Sequence, residues 1–90
     1  MRTIHYLGQF KKDAKLLVKR GYELNKLRAV IEKLVNEEDL ETRHKDHPLH
    51  GKFEGARDCH IASDWVLIYA IVGNELRLIR TGTHSDLFKS

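Results

Sequence analysis

A single cysteine, Cys59, leaves no internal disulfide to form, so nothing in the chain calls for an oxidising compartment and a reducing cytosol is the expectation. Long hydrophobic runs are missing too. The longest, Trp65 to Val72, has eight residues, against the ~20 that a membrane-spanning helix needs. The opening Met1-Arg2-Thr3-Ile4-His5-Tyr6 has no apolar stretch and no small-residue cleavage site, so no export signal is expected. Internal repeats, low-complexity tracts and linkers are also lacking, and 90 residues suit one small domain, 1–90. A domain of this size buries only ~60–65% of the surface it exposes when unfolded. Its core is thin, which argues against a deep substrate cavity and for chemistry on an open face.

Charge is plentiful, at 32% of residues, and unevenly placed. Residues 1–22 hold Arg2, Lys11, Lys12, Lys15, Lys19 and Arg20 against Asp13 alone, a net +5. Residues 23–43 carry four basic and six acidic groups, and residues 44–90 carry six of each. A basic excess on one segment is the electrostatic footprint of a nucleic-acid binder, or a solvated helix face.

The pattern predicts an edge strand over Ile4–Tyr6. From Gln9 it turns helical, with Phe10, Ala14 and Leu17 at i, i+4 and i+7 and with Leu16 and Val18 widening the stripe. Gly21 stops that helix. A second helix follows with Leu24, Leu27, Val30, Ile31, Leu34 and Val35 on one side, folded back on the first. Glu37 to Arg57 shows neither period for long. Asp58–Ala62 alternates as a strand, Cys59 and Ile61 on one face and Asp58 and His60 on the other. Ala62-Ser63-Asp64 reads as a tight turn, Trp65–Val72 as a central strand, and Gly73-Asn74 as a hairpin turn. Glu75–Thr81 is the next strand, ended by Gly82, and Ser85–Lys89 closes with a helical turn. The order β-α-α-β-β-β describes an α+β domain, a helical hairpin on one face of a mainly antiparallel sheet.

Six histidines are many for this length, and five lie between positions 44 and 84. Histidine exchanges protons near neutrality. Taken singly, His44 and His50 read as solvated loop residues and His5 as surface. If the strands are neighbours, His60, Asp64 and His84 converge with the His47 loop at one edge of the sheet. Several proton-transfer groups beside basic residues is what RNA cleavage requires: a base for the ribose 2′-OH, cations for the phosphorane, and an acid for the 5′-oxygen. A zinc site on His44, His47 and His50 with Asp46 or Asp58 is disfavoured, because Pro48 interrupts the segment and no cysteine pair supports it. Cys59 alternates onto the Ile61 face and reads as core.

The ordered set Lys45-Asp46-His47-Pro48-Leu49, Gly51, Gly55, Arg57-Asp58-x-His60, Asp64-Trp65-x-Leu67-Ile68-Tyr69 and Arg80-Thr81-Gly82-Thr83-His84-x-x-Leu87-Phe88 resembles the YafQ branch of the RelE/ParE superfamily of bacterial toxins. The helical half matches as well, through Tyr6-x-Gly8-Gln9-Phe10-Lys11-Lys12-Asp13 and Asn25-Lys26-Leu27. The resemblance implies the RelE-like fold and a metal-independent endoribonuclease, without cofactor, that cuts mRNA in the A site of the 70S ribosome. It also implies neutralisation by a DinJ-type antitoxin whose complex binds operator DNA. It places functional groups at His47, Asp58, His60, Asp64, His84 and Phe88, and more loosely a phosphate-contacting cation at Arg80. His84 is the expected general acid, and Asp64 or His47 the base. His60 holds a phosphate or tunes a neighbour, with Asp58 orienting it. Phe88 stacks on a base or plugs the sheet edge. Lys11, Lys12, Lys15, Lys19, Lys52 and Arg57 are the expected RNA- or ribosome-binding set. The superfamily also holds gyrase poisons, and a non-catalytic RNA-binding module would use the same basic helix.

Changing Lys11, Lys12 and Lys15 together to Gln is expected to weaken ribosome binding and to flatten its salt dependence, by a slope of roughly 0.7–0.9 per lost phosphate contact. The position of mRNA cuts should stay put, because phosphate contacts carry no base readout. Binding titrations over a salt series, with primer extension on the cut mRNA, check both.

Overall fold

The computed structural model describes residues 1–88. Its elements are β1 (Thr3–Tyr6), α1 (Gly8–Lys19), α2 (Asn25–Val35), β2 (His47–Pro48), β3 (Arg57–Ala62), β4 (Trp65–Val72), β5 (Glu75–Thr83) and α3 (His84–Leu87), with single 3-10 turns at Thr42–His44 and Gly51–Phe53. The sheet order is β1-β5-β4-β3-β2. β1 runs parallel to β5 and every other pair is antiparallel. This is the expected α+β architecture with three adjustments. The irregular 37–57 segment contains the two-residue β2, which pairs His47 with Asp58. β5 continues through Gly82 to Thr83 instead of ending at Thr81. The closing helical turn starts at His84, and the part expected at Lys89 lies outside the described residues.

The two faces of the sheet are covered differently. On one, Phe10 and Leu17 of α1 and Leu27, Val30 and Leu34 of α2 pack on Cys59, Ile61, Trp65, Leu67, Tyr69, Leu76 and Leu78. Each such aliphatic or aromatic side chain contributes about 1.5–3 kcal/mol by leaving water. On the other face Ala56, Val66, Ile68 and Leu87 form a smaller cluster. Gly73 has φ 60°, which supplies the positive dihedral that a tight β4–β5 hairpin needs at its first central residue. No helix among the described residues is long and apolar enough to cross a membrane.

One expectation about α1 fails. Leu16 and Val18 do not widen the buried stripe; they are 46% and 53% exposed. The position that does turn inward is Asp13, at i+3 from Phe10, and it is buried. The reason lies in the sheet. β1 pairs with β5 only as far as Leu78, so among the described residues β5 has no strand neighbour on that side beyond it. The Asp13 carboxylate accepts the Thr81 main-chain N–H at 3.2 Å and takes two hydrogen bonds from Arg80, at 2.7 and 3.1 Å. A buried carboxylate is tolerable when it is paired and fully hydrogen-bonded in this way. Thr81 passes the connection on: its hydroxyl donates to the Val66 carbonyl and accepts from the Trp65 indole, both at 2.9 Å.

Replacing Asp13 with Ala should cost about 2–3 kcal/mol in a urea titration. That is below the ~3–5 kcal/mol of a wholly buried pair, because the Arg80 side chain keeps 24% of its surface in solvent.

Candidate active site

β3 alternation puts Asp58 and His60 on the face opposite α1 and α2, and the short β2 brings His47 beside Asp58. The β3–β4 turn, with Ser63 at φ 44°, presents Asp64. β5 returns alongside β4, pairing Thr83 with Trp65, so that the next residue, His84, meets that turn. Asp64 holds His84 twice. Its carbonyl accepts the His84 main-chain N–H at 3.1 Å, and its carboxylate lies 3.0 Å from His84 Nδ1. Behind His84, the Thr83 hydroxyl accepts the Asp86 N–H, Leu87 is buried in the smaller cluster, and Arg20, just past the end of α1, reaches Asp86 at 2.9 Å. His47, His60, Asp58, Asp64 and His84 therefore do converge on one patch of the sheet.

The histidine tautomers follow from their partners. His47 Nδ1 lies 2.7 Å from the Lys45 carbonyl, which can only accept, so Nδ1 carries the proton and donates it there. The other nitrogen, Nε2, is 3.6 Å from Asp58 Oδ2. His84 repeats the pattern: Nδ1 on the Asp64 carboxylate, and Nε2 4.0 Å from the same Asp58 oxygen. Two imidazoles thus point their free nitrogens at one carboxyl group. Asp58 is only 2% exposed, and its Oδ1 is buried without a hydrogen-bond partner among the described residues. Burial pushes the Asp58 carboxyl above its ordinary value, while His47, His84 and His60 pull it back.

The neighbouring contacts hold this arrangement in place. Asp46 Oδ1 accepts from Arg57 Nε at 3.1 Å and from the Tyr69 hydroxyl at 2.7 Å. Burial, with Asp46 next, pushes the Tyr69 hydroxyl well up, so it remains a donor. That knot anchors the chain immediately before His47. His44, expected in solvent, is instead buried, with Nδ1 2.6 Å from the His60 carbonyl. Tyr69 carried no assigned role in the sequence, and His44 and Asp46 entered only through the disfavoured zinc set. The His60 and His84 rings are 5.0 Å apart, and the Phe88 ring is 5.5 Å from His84 and edge-on to Phe53 at 5.9 Å. Phe88 stays 39% exposed. Lys52 Nζ sits 5.5 Å from the centre of the Phe53 ring.

Other expected site residues stand apart. Both hydrogen bonds from the Arg80 guanidinium go to Asp13, and Arg57 is engaged by Asp46. Lys11, Lys12, Lys15 and Lys19 line the exposed side of α1. His44, His47 and His50 do not form a metal-binding group. Among the described residues the one set spaced for an ion is Asp58, His60 and His84, whose ligand atoms lie within 4.8 Å of one another. Cys59 is fully buried and its burial pushes the thiol up, which excludes it as a nucleophile.

Comparison with known proteins bears on this geometry. The family described as "Bacterial toxin of type II toxin-antitoxin system, YafQ" matches residues 2–89. The mRNA interferase toxin YafQ of Escherichia coli K12 is 47% identical over 88 residues, 97% of this chain and 96% of the relative. Among solved structures, the toxin in the E. coli DinJ–YafQ complex superposes with a TM-score of 0.90 at 46% identity, covering 98% of this chain and 99% of that one. A metal-bound toxin from Helicobacter pylori also gives 0.90, at 43% identity, covering 98% and 100%.

The orphaned Asp58 oxygen generates a stability prediction. A carboxyl whose folded-state value is raised adds stability below its unfolded value and loses that contribution as pH rises through the folded one. Asp58→Asn should therefore melt higher than wild type at neutral and alkaline pH, by roughly 1 kcal/mol or about 4–8 °C for a domain this size. The gap should close in acid. Thermal melts across a pH series read it directly.

Proposed function

The chain belongs to the YafQ family of toxins from type II toxin–antitoxin systems, and from that premise we propose that it is a metal-independent endoribonuclease that cuts translated mRNA on the ribosome. The observation that carries this reading is the pair of imidazole Nε2 atoms facing one buried carboxyl, each with its Nδ1 fixed by an acceptor. Neutral His47 offers its Nε2 lone pair as the base that takes the ribose 2′-OH proton. The 2′-oxygen then attacks the adjacent phosphorus. His84, entering as imidazolium, gives its Nε2 proton to the departing 5′-oxygen, leaving a 2′,3′-cyclic phosphate and a free 5′-hydroxyl. Asp64 is the weaker candidate for base, because its carboxylate is occupied in orienting His84.

Asp58 has a defined part in this sequence. Before the cut the positive imidazole beside it is His84; afterwards it is His47. One buried negative charge faces one cation throughout, so the proton crosses the site without a change in the local charge balance. His60 lies against His84 to contact the phosphate, and half-exposed Phe88 offers a face for a base, worth ~1–3 kcal/mol. A metal on Asp58, His60 and His84 would take one His84 nitrogen, and the metal-free reading uses both, Nδ1 on Asp64 and Nε2 in the acid step. A DinJ-like antitoxin would neutralise the toxin, with the antitoxin complex on operator DNA.

His84→Ala should lower mRNA cleavage in a reconstituted translation reaction by about 10²–10⁴-fold with the melting temperature little changed. Wild-type cleavage should survive chelation once magnesium is restored to the ribosomes. Undiminished cleavage by His84→Ala would overturn the acid assignment, and relaxed plasmid with intact mRNA would point to a gyrase poison instead.

A further inference from the structure

A second concave surface adjoins the histidine site. β2 covers β3 only at Arg57 and Asp58, so among the described residues the β3 edge from Cys59 onward has no strand beside it. The 3-10 turn at Thr42–His44 stands off that edge, joined to it by the His44–His60 hydrogen bond. Between this turn, the β3 edge and α2 runs a groove of about 650 Å³. Its rim carries Lys26, Lys33, Arg43 and Lys45, against the single acidic residue Glu41, and His60 forms one of its walls. Glu41 lies 3.4 Å from Arg43 and 3.7 Å from Lys33. Lys26 and Lys45 are exposed and make no side-chain hydrogen bond or ion pair among the described residues. Ala29, Val30, Ile61 and Ala62 supply an apolar floor.

We infer that this groove binds the single-stranded RNA flanking the scissile phosphate. The inference rests on the ribonuclease reading and extends it. Three features support it. The excess positive charge matches a phosphate backbone. The floor offers apolar contact to sugars and bases. The groove meets the strand that carries the reaction centre: His60 is one of its lining residues, and the His60 ring, on the opposite face of the sheet, lies 5.0 Å from His84. Lys45 joins the two regions within one residue. Its carbonyl fixes the His47 tautomer, and its left-handed φ of 47° turns the chain there while its side chain lies on the groove rim. This surface is separate from the α1 lysines.

The test uses a fluorescein-labelled, mixed-sequence RNA of about a dozen nucleotides, uniformly 2′-O-methylated so that the nucleophile is blocked. Its binding is followed by anisotropy over a salt series for the wild type, Lys26→Gln/Lys45→Gln and Lys26→Arg/Lys45→Arg. The Gln pair should bind about tenfold more weakly, with the salt slope smaller by roughly 0.7 per lysine. The Arg pair should restore both, and the melting temperature should hold in each variant. Wild-type affinity and slope in the Gln pair would overturn the groove assignment and leave the ribonuclease reading intact. No RNA binding by the wild type would likewise overturn the groove assignment, while the ribonuclease reading is judged separately by mRNA cleavage in the translation reaction. Loss of affinity for the antitoxin alone, with RNA binding retained, would reassign the groove to the protein partner.

Discussion

The carboxylate of Asp13, clamped by Arg80 and by the Thr81 amide, substitutes for a strand that is not there. β1 is only four residues long, and the upper part of β5 would otherwise bury an N–H with no acceptor, at a cost of about 1–3 kcal/mol. The same side chain seats α1 on the sheet. Through Thr81 the connection continues to the Val66 carbonyl and the Trp65 indole, which fixes β5 against β4 at the level where β5 hands over to His84. The geometry of the reactive patch is thus set from the opposite face of the sheet, by a charge that makes no contact with the histidines.

Asp58 is the counterpart on the reactive side. Its burial is unfavourable for folding: one oxygen has no partner among the described residues and the other faces histidine nitrogens at more than hydrogen-bond distance. Sites tuned for proton transfer commonly carry such a cost. A thin sheet with little interior keeps this carboxylate dry with β2 beside it and His84 of α3 against it, the shortest strand and shortest α-helix among the described residues.

Much of this was legible beforehand. Strand alternation correctly separated Asp58 and His60 from Cys59 and Ile61, and turn chemistry marked the reversals at Ser63-Asp64 and Gly73-Asn74, so the meeting of His60, Asp64 and His84 could be expected. What stayed hidden shares one cause, namely tertiary partners without a local pattern. An aspartate at Asp13 reads as solvent-facing, and apolar Leu16 and Val18 read as core, unless the open edge of β5 is known. His44 looks like a loop histidine until the His60 carbonyl is seen to need a donor. Arg80 looks free to meet a phosphate until Asp13 is found beneath it. β2 is too short to show a period at all.

The contacts that join the two halves of the chain span long stretches of sequence: 67 positions separate Asp13 from Arg80 and 66 separate Arg20 from Asp86. The β3–β4–β5 meander, by contrast, is joined by tight turns. Closing a large loop costs chain entropy before any contact repays it, so local hairpins form early and such distant pairings late. In folding time, then, the strands that carry Asp58, His60 and Asp64 can come together while α1 is still undocked. The chemistry would gain its rigidity last, when the N-terminal helix arrives and fastens the segment that follows His84.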